Sequence, residues 1–177
     1  MADYIMQTVI HQNIPEHLIA PFERVLLAEI FQSDKSDGMI SYYASEGPND
    51  FVSLNRRDVE DALSRSRVRS RLRSALLERF LKSDLEHDYF DFDLTSTPYA
   101  SDVYIIILQD IVRRWKGELP YVTLAAAYTC SKMRVDGFGG MAIIIMPNRV
   151  LHQSTYAFIE AFEQRQAHKS PRQAAAP

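Results

Sequence analysis

A chain of 177 residues, 46% hydrophobic and 11% aromatic, can bury the core of one folded domain, which excludes a wholly disordered protein. Its 20 Lys and Arg against 23 Asp and Glu leave a net charge of −3, which excludes both a strongly basic nucleic-acid binder and a heavily acidic DNA mimic. A single cysteine, Cys130, excludes an internal disulfide and a Cys-based zinc site within one chain, and reads as a reducing cytoplasm.

The N-terminal stretch MADYIMQTVIHQNIPEH has no basic region followed by an apolar one. No apolar run approaches the roughly 18 residues that span a bilayer. The expectation is a soluble, cytoplasmic protein with no membrane partner. Residues 4–10, YIMQTVI, favour a strand. Pro21 opens a helix with apolar residues at 22, 25, 26 and 30, and SDKSDG ends it. MISYYAS and DFVSLN, separated by EGPN, read as a hairpin. Asn55 is placed to cap a helix beginning RRDVEDAL.

Residues 64–82, SRSRVRSRLRSALLERFLK, read as an amphipathic, Arg-rich helical connector on a stripe of Val68, Leu72, Leu76 and Phe80. Its arginines, Arg65, Arg69 and Arg73 among them, suit either phosphates or the acidic segment 84–93 that follows. That segment, DLEHDYFDFD, groups Asp84, Glu86, His87, Asp88, Asp91 and Asp93. Carboxylates with one His can bind a divalent cation, but the spacing is not that of an EF-hand and the pattern from Tyr89 alternates as a half-buried edge strand does. The expectation is no metal.

In TSTPYASDVYIIILQDIVRRWKGELP, Tyr104, Ile107, Leu108, Ile111 and Trp115 fit helical spacing, with Gly117 as the stop. YVTLAAAYTCS alternates, with Val122, Leu124, Ala126, Tyr128 and Cys130 on one face. GGMAIIIMP reads as a buried strand. Ser154 caps TYAFIEAFEQRQ, whose apolar side is Phe158, Ile159 and Phe162, and 166–177 reads as a disordered tail. Helix–strand–strand–helix recurs at about 21–64 and 102–165. Together these give one α+β domain over 1–165: a mainly antiparallel sheet of four or five strands, helices on one face, and a possible αββα pseudo-repeat.

The loop between those last strands, SKMRVDGFGGMA, holds three of the six glycines. GFGGMA matches G-x-G-x-x-A in letters, but a dinucleotide fingerprint needs a helix after the glycines and a strand follows here. No cofactor is expected. Gly137, Gly139 and Gly140 read as structural turn residues at positive φ in a hairpin connection. Lys132, Arg134 and Phe138 remain, an aromatic beside two cations, which suits a base, a phosphate or an acidic protein surface. Cys130 reads as a buried inert thiol, since no histidine is placed by sequence to activate it.

CSKMRVDGFGGMAIII and, more loosely, ISYYASEGPNDFVSLNRRDVEDAL and LQDIVRRW resemble an uncharacterised family of bacterial proteins of plasmids and other mobile elements, with a CSKMRxDGFGGMA segment. The resemblance does not extend to the Arg-rich connector. It implies no activity, cofactor or catalytic residue, and an accessory role in plasmid maintenance, transfer or defence against host nucleases. The sequence thus points to a small non-catalytic binding protein that docks on a host nucleic-acid-handling complex, as anti-restriction and anti-CRISPR proteins do. Its contact residues would be Lys132, Arg134, Phe138, Arg65, Arg69 and Arg73. The alternatives are a direct nucleic-acid-binding accessory protein using the same residues, and a metal-dependent enzyme centred on His87.

Overall fold

The computed structural model describes residues 3–68, 70–83, 87–98, 103–134 and 137–169. The chain starts with β1 (Tyr4–Ile10) and β2 (Ile14–Pro15), then α1 (Pro21–Ile30), β3 (Gln32–Ser36), β4 (Met39–Ala44) and β5 (Phe51–Asn55). Two helices follow, α2 (Arg56–Arg65) and α3 (Arg71–Lys82), then β6 (Tyr89–Asp93) and α4 (Val103–Arg114). A meander of β7 (Val122–Cys130), β8 (Gly139–Ile145) and β9 (Val150–Ser154) runs directly into α5 (Thr155–Lys169). The α+β class and the antiparallel sheet are as the sequence indicates. Seven strands form that sheet in the order β2-β4-β1-β7-β8-β9, with β3 also on β4, while β5 and β6 pair separately.

Register explains which face is covered. Ile10, Leu124 and Ile143 stand opposite one another and are buried beneath α1 and α4. One residue along each strand, Val9, Ala125 and Ala142 align on the reverse face, where Val9, Tyr43 and Ile144 are exposed. GGMAIII is therefore buried on one side only. A second part of the same core lies between α1, α2, α3 and the β5–β6 pair. There Phe80 meets Phe90 edge-on at 5.6 Å, and the Arg56 guanidinium sits 4.8 Å above the Phe80 ring.

The sheet is larger than expected because β2, β9 and QSDKS join it, although β5 does not. QSDKS has no apolar alternation, and every residue in it is exposed. What makes it a strand is the turn after it: Asp37 and Gly38 both have positive φ, 52° and 74°, in a two-residue connection that sets Ser36 opposite Met39. The expected hairpin of MISYYAS with DFVSLN does not form, since β4 is already paired with β1, β2 and β3, and β5 goes to β6. The recurring order is helix–three strands–helix, α1-β3-β4-β5-α2 and α4-β7-β8-β9-α5. In the first unit the third strand leaves for the small sheet, so the two are not equivalent in pairing.

The Arg-rich connector is not one helix. Asn55 caps α2 as expected, accepting from the amides of Arg57 and Asp58. Ser66 then ends α2, and its hydroxyl turns to accept the Phe22 amide at the start of α1 at 2.9 Å. A second helix restarts at Arg71 because Asp110 of α4 accepts its amide at 3.0 Å, supplying the cap from another element. Val68 is therefore outside any helix.

Two ion pairs hold α4, one buried and one half-buried. Glu23 of α1, only 1% exposed, takes Arg114 in a bidentate pair, Nη1–Oε1 2.8 Å and Nη2–Oε2 2.5 Å, and also accepts the Ala20 amide. Burial pushes the Glu23 carboxyl above the usual carboxylate range, against the opposing pull of Arg114 and Ala20. Asp110 takes Arg71, which also donates to Gln109 at 3.0 Å.

Arg114→Ala leaves the Glu23 carboxylate buried without its partner. It should lower unfolding stability by about 3–5 kcal/mol in urea titration. A buried carboxyl with a raised folded-state pKa binds more protons folded than unfolded, so stability is lost as pH rises through that pKa. Without Arg114 to lower it, that pKa rises further, so the deficit relative to the unsubstituted chain should shrink on acidification from neutral pH. A deficit that grows on acidification would show that Glu23 is not the group responsible. At Gly38, where a Cβ meets open space and only φ is special, Gly38→Val should cost about 1–2 kcal/mol by the same assay.

Candidate functional site

The 131–138 loop is anchored at both ends by residues far away in sequence. At its start Ser131 donates its amide to the Asp3 carbonyl at 3.0 Å, and its hydroxyl accepts the Asp3 amide at 3.0 Å. At its end the Tyr156 hydroxyl donates to the Phe138 carbonyl at 2.8 Å, and the Thr155 hydroxyl accepts the Gly140 amide at 3.2 Å. A turn inside the loop is closed by Gly137 donating to the Arg134 carbonyl at 3.1 Å. Between these anchors Lys132, Met133 and Arg134 are exposed, Met133 at 91%, and Phe138 is 41% exposed. Neither cation has an ion-pair partner among the described residues. Asp136 lies outside them.

The glycines do their work differently from expectation. Gly137, Gly139 and Gly140 are not at positive φ, which among the described residues occurs at Asp37, Gly38 and Gly47. They are required by close approach. A Cβ on Gly137 would stand 2.7 Å from the Cβ of Cys130, and one on Gly139 would stand 2.9 Å from Thr155 Oγ1 and 3.1 Å from the Tyr156 ring. One on Gly140 would be 3.2 Å from the Ala126 carbonyl oxygen. Gly139 and Gly140 belong to β8 itself, and only Gly137 is in the turn. Cys130 is buried under Gly137, as the alternation of β7 indicates.

The arginines of the connector do not join the loop in one surface. Arg65 pairs with Asp61 one turn back on α2. Arg73 is half-buried and donates to the Leu63 carbonyl. Arg71 is held by Asp110. Arg69 lies outside the described residues. The predicted neutralisation of the acidic segment is replaced, for these three, by pairing with Asp61, a backbone carbonyl and Asp110.

Of the acidic segment, Asp84 and Glu86 lie outside the described residues. Asp91 accepts the Ser53 hydroxyl at 2.7 Å across the β5–β6 pair, and Asp93 accepts the Thr95 amide at 2.9 Å in a short 3-10 turn. His87 gives its carbonyl to Arg56. No group of three or more His, Cys, Asp or Glu among the described residues is placed to hold a metal. No helix there is long and apolar enough to cross a membrane.

Comparison with known proteins finds no match. No family model, no curated protein and no solved structure is similar to this chain. The site therefore rests on its own geometry. Two of its residues escaped the sequence reading. Met133 sits between the cations where alternation has stopped, a pattern that marks exposure. Tyr156 is in a helix that begins 17 residues past Phe138 and meets it only through the β8–β9 turn.

Close approach makes Gly137→Ala destabilising by about 1–3 kcal/mol, the range for forcing a methyl into packed space. Gly117→Ala is the control. Gly117 has nothing within 4 Å of its would-be Cβ and no positive φ, so its melting temperature should stay unchanged. Equal effects at the two positions in thermal unfolding would refute the packing account.

Proposed function

We propose that this chain is a small non-catalytic binding protein that docks through its 131–138 loop on a host complex handling nucleic acid, in the manner of anti-defence proteins. One observation carries the reading. Two cations and two large apolar side chains, Lys132, Arg134, Met133 and Phe138, project from a loop fixed at both ends, with no side-chain partner among the described residues. An anchored loop binds without first being ordered, so more of its contact energy appears as affinity. Apolar anchors flanked by cations match an acidic protein surface with a hydrophobic pocket. The host setting is proposed from the expected resemblance of the CSKMRVDGFGGMA segment to mobile-element proteins.

Direct binding to nucleic acid is less well supported. Arg65, Arg71 and Arg73 are held by partners within the chain, and phosphate binding by Lys132 and Arg134 alone gives a small, strongly salt-sensitive term. Met133, 91% exposed, offers no ring for a base to stack on.

Tagged protein purified from its host, compared with Phe138→Ala and Arg134→Glu, tests the reading. The same host protein should be recovered with the unsubstituted chain and reduced at least about 10-fold with each variant, at unchanged melting temperature. A random-sequence single-stranded oligonucleotide should bind no more than weakly at physiological salt. Equal recovery with both variants refutes the loop as the contact. Submicromolar oligonucleotide binding lost in Arg134→Glu would favour the nucleic-acid reading.

A further inference from the structure

Helix α5 has no buried residue among those described. Its first turn is fixed to β8 by Thr155 and Tyr156, and from Ala157 to Ala167 its residues are exposed, Ala161 half-buried. Phe158 is 69% exposed, Ile159 50% and Phe162 55%. At about 100° per residue these three fall on one side of the helix, so they form a continuous apolar stripe and not scattered contacts. Phe158 and Ile159 also line an open notch with Ala126, Met141 and Ala142 of the sheet. A stripe of this size on a helix end is a contact surface.

We propose that its occupant is the same stripe on a second copy of this chain, the two α5 helices packing antiparallel about a two-fold axis. The proposal goes beyond docking at the 131–138 loop and does not depend on it. Three observations favour a second copy. The first is charge. Glu160 and Glu163 are matched in number by Arg165 and Lys169, so the helix has neither the basic face that seeks a lipid surface nor a one-signed face that seeks an oppositely charged protein. The second is placement. Arg165 and Phe158 are seven residues apart, two turns along one flank, while Glu160 is about 200° from Phe162 on the far side. Antiparallel pairing therefore sets each Arg165 over the partner's Phe158, a cation–π contact made twice.

The third observation concerns the edges of the sheet. β3, paired only with β4, is protected: all exposed, polar and carrying Lys35. At the opposite end β9, paired only with β8, reads VLHQS and has no charged residue or proline. An edge left without such protection is the edge that other chains meet. Self-pairing of identical surfaces closes as a dimer and stops there, whereas an offset contact would propagate. The dimer carries two copies of the 131–138 loop, each fixed to its own α5 through the Tyr156–Phe138 bond.

Sedimentation equilibrium on the full chain and on Phe162→Glu tests this. The unsubstituted chain should be dimeric at about 10 µM, with the dissociation constant raised at least about 100-fold in Phe162→Glu. Because Phe162 is exposed, its circular dichroism spectrum and melting behaviour extrapolated to the monomer should be retained. Should the variant misfold, Phe162→Cys gives the second measurement: oxidation should link two chains through residue 162 in high yield, which requires the two positions to face each other. A monomeric unsubstituted chain at about 100 µM overturns the proposal. So does a dimer that persists in Phe162→Glu, or a Phe162→Cys chain that stays unlinked.

Discussion

The ion pair between Glu23 and Arg114 fixes where everything else sits. Its partners are 91 residues apart and meet where the first turn of α1 lies beside the last residue of α4. An acid at a helix start and a base at a helix end each suit the local dipole, so the pair joins two favourable termini as well as two charges. Glu23 closes the N-terminus of α1 on itself through the Ala20 amide, and Arg114 continues the pair into the core. One turn earlier on α4, Asp110 performs the same service for α3. Of the three charged residues of α4, Arg113 approaches Asp110 at 3.7 Å, while Asp110 and Arg114, four apart, reach outward. Each takes a different helix, and α4 becomes the piece against which α1 and α3 are set.

This arrangement has an energetic logic. Isolated charges at such depth would be prohibitive, and replacing the pair with apolar residues could leave stability unchanged or better. What charge supplies is a single allowed placement. Apolar faces of α1 and α4 could slide over the sheet by a turn with modest loss. A bidentate guanidinium–carboxylate pair cannot, because a shift of one turn separates the charges inside the protein. Gln109 and Arg113 add fixed points, donating to the carbonyls of Met146 and Pro147 just past β8 at 3.1 Å and 2.6 Å.

Much of this is legible in the sequence, and the limits have physical causes. Alternation in YVTLAAAYTC and helical spacing in VYIIILQDIVRR identify β7 and α4, because both are ordered by an apolar face. QSDKS has no such face and is held by main-chain pairing through Asp37–Gly38, so hydropathy is silent there. The break between α2 and α3 is invisible for another reason. The Ser66 hydroxyl and the Asp110 carboxylate act on residues 44 and 39 positions away, and the intervening segment is helix-like on its own. In the loop, residue types identified Lys132, Arg134 and Phe138 as unusual. Whether a glycine answers a dihedral or a neighbour's Cβ is a tertiary question, and the sequence alone reads the same in either case.

The contact of Gly137 with Cys130 has a consequence for measurement. The thiol is buried by the loop that carries the exposed residues, so a thiol reagent reaches it only when that loop lifts or the domain unfolds. When closing outruns the reagent, the modification rate divided by that of a free thiol gives the fraction of molecules open at that place. With a single cysteine in the chain, the signal has one source. The fold thus carries its own gauge of local opening. Occupation of the loop by anything that holds it shut would slow the chemistry of a sulfur that the occupant never touches.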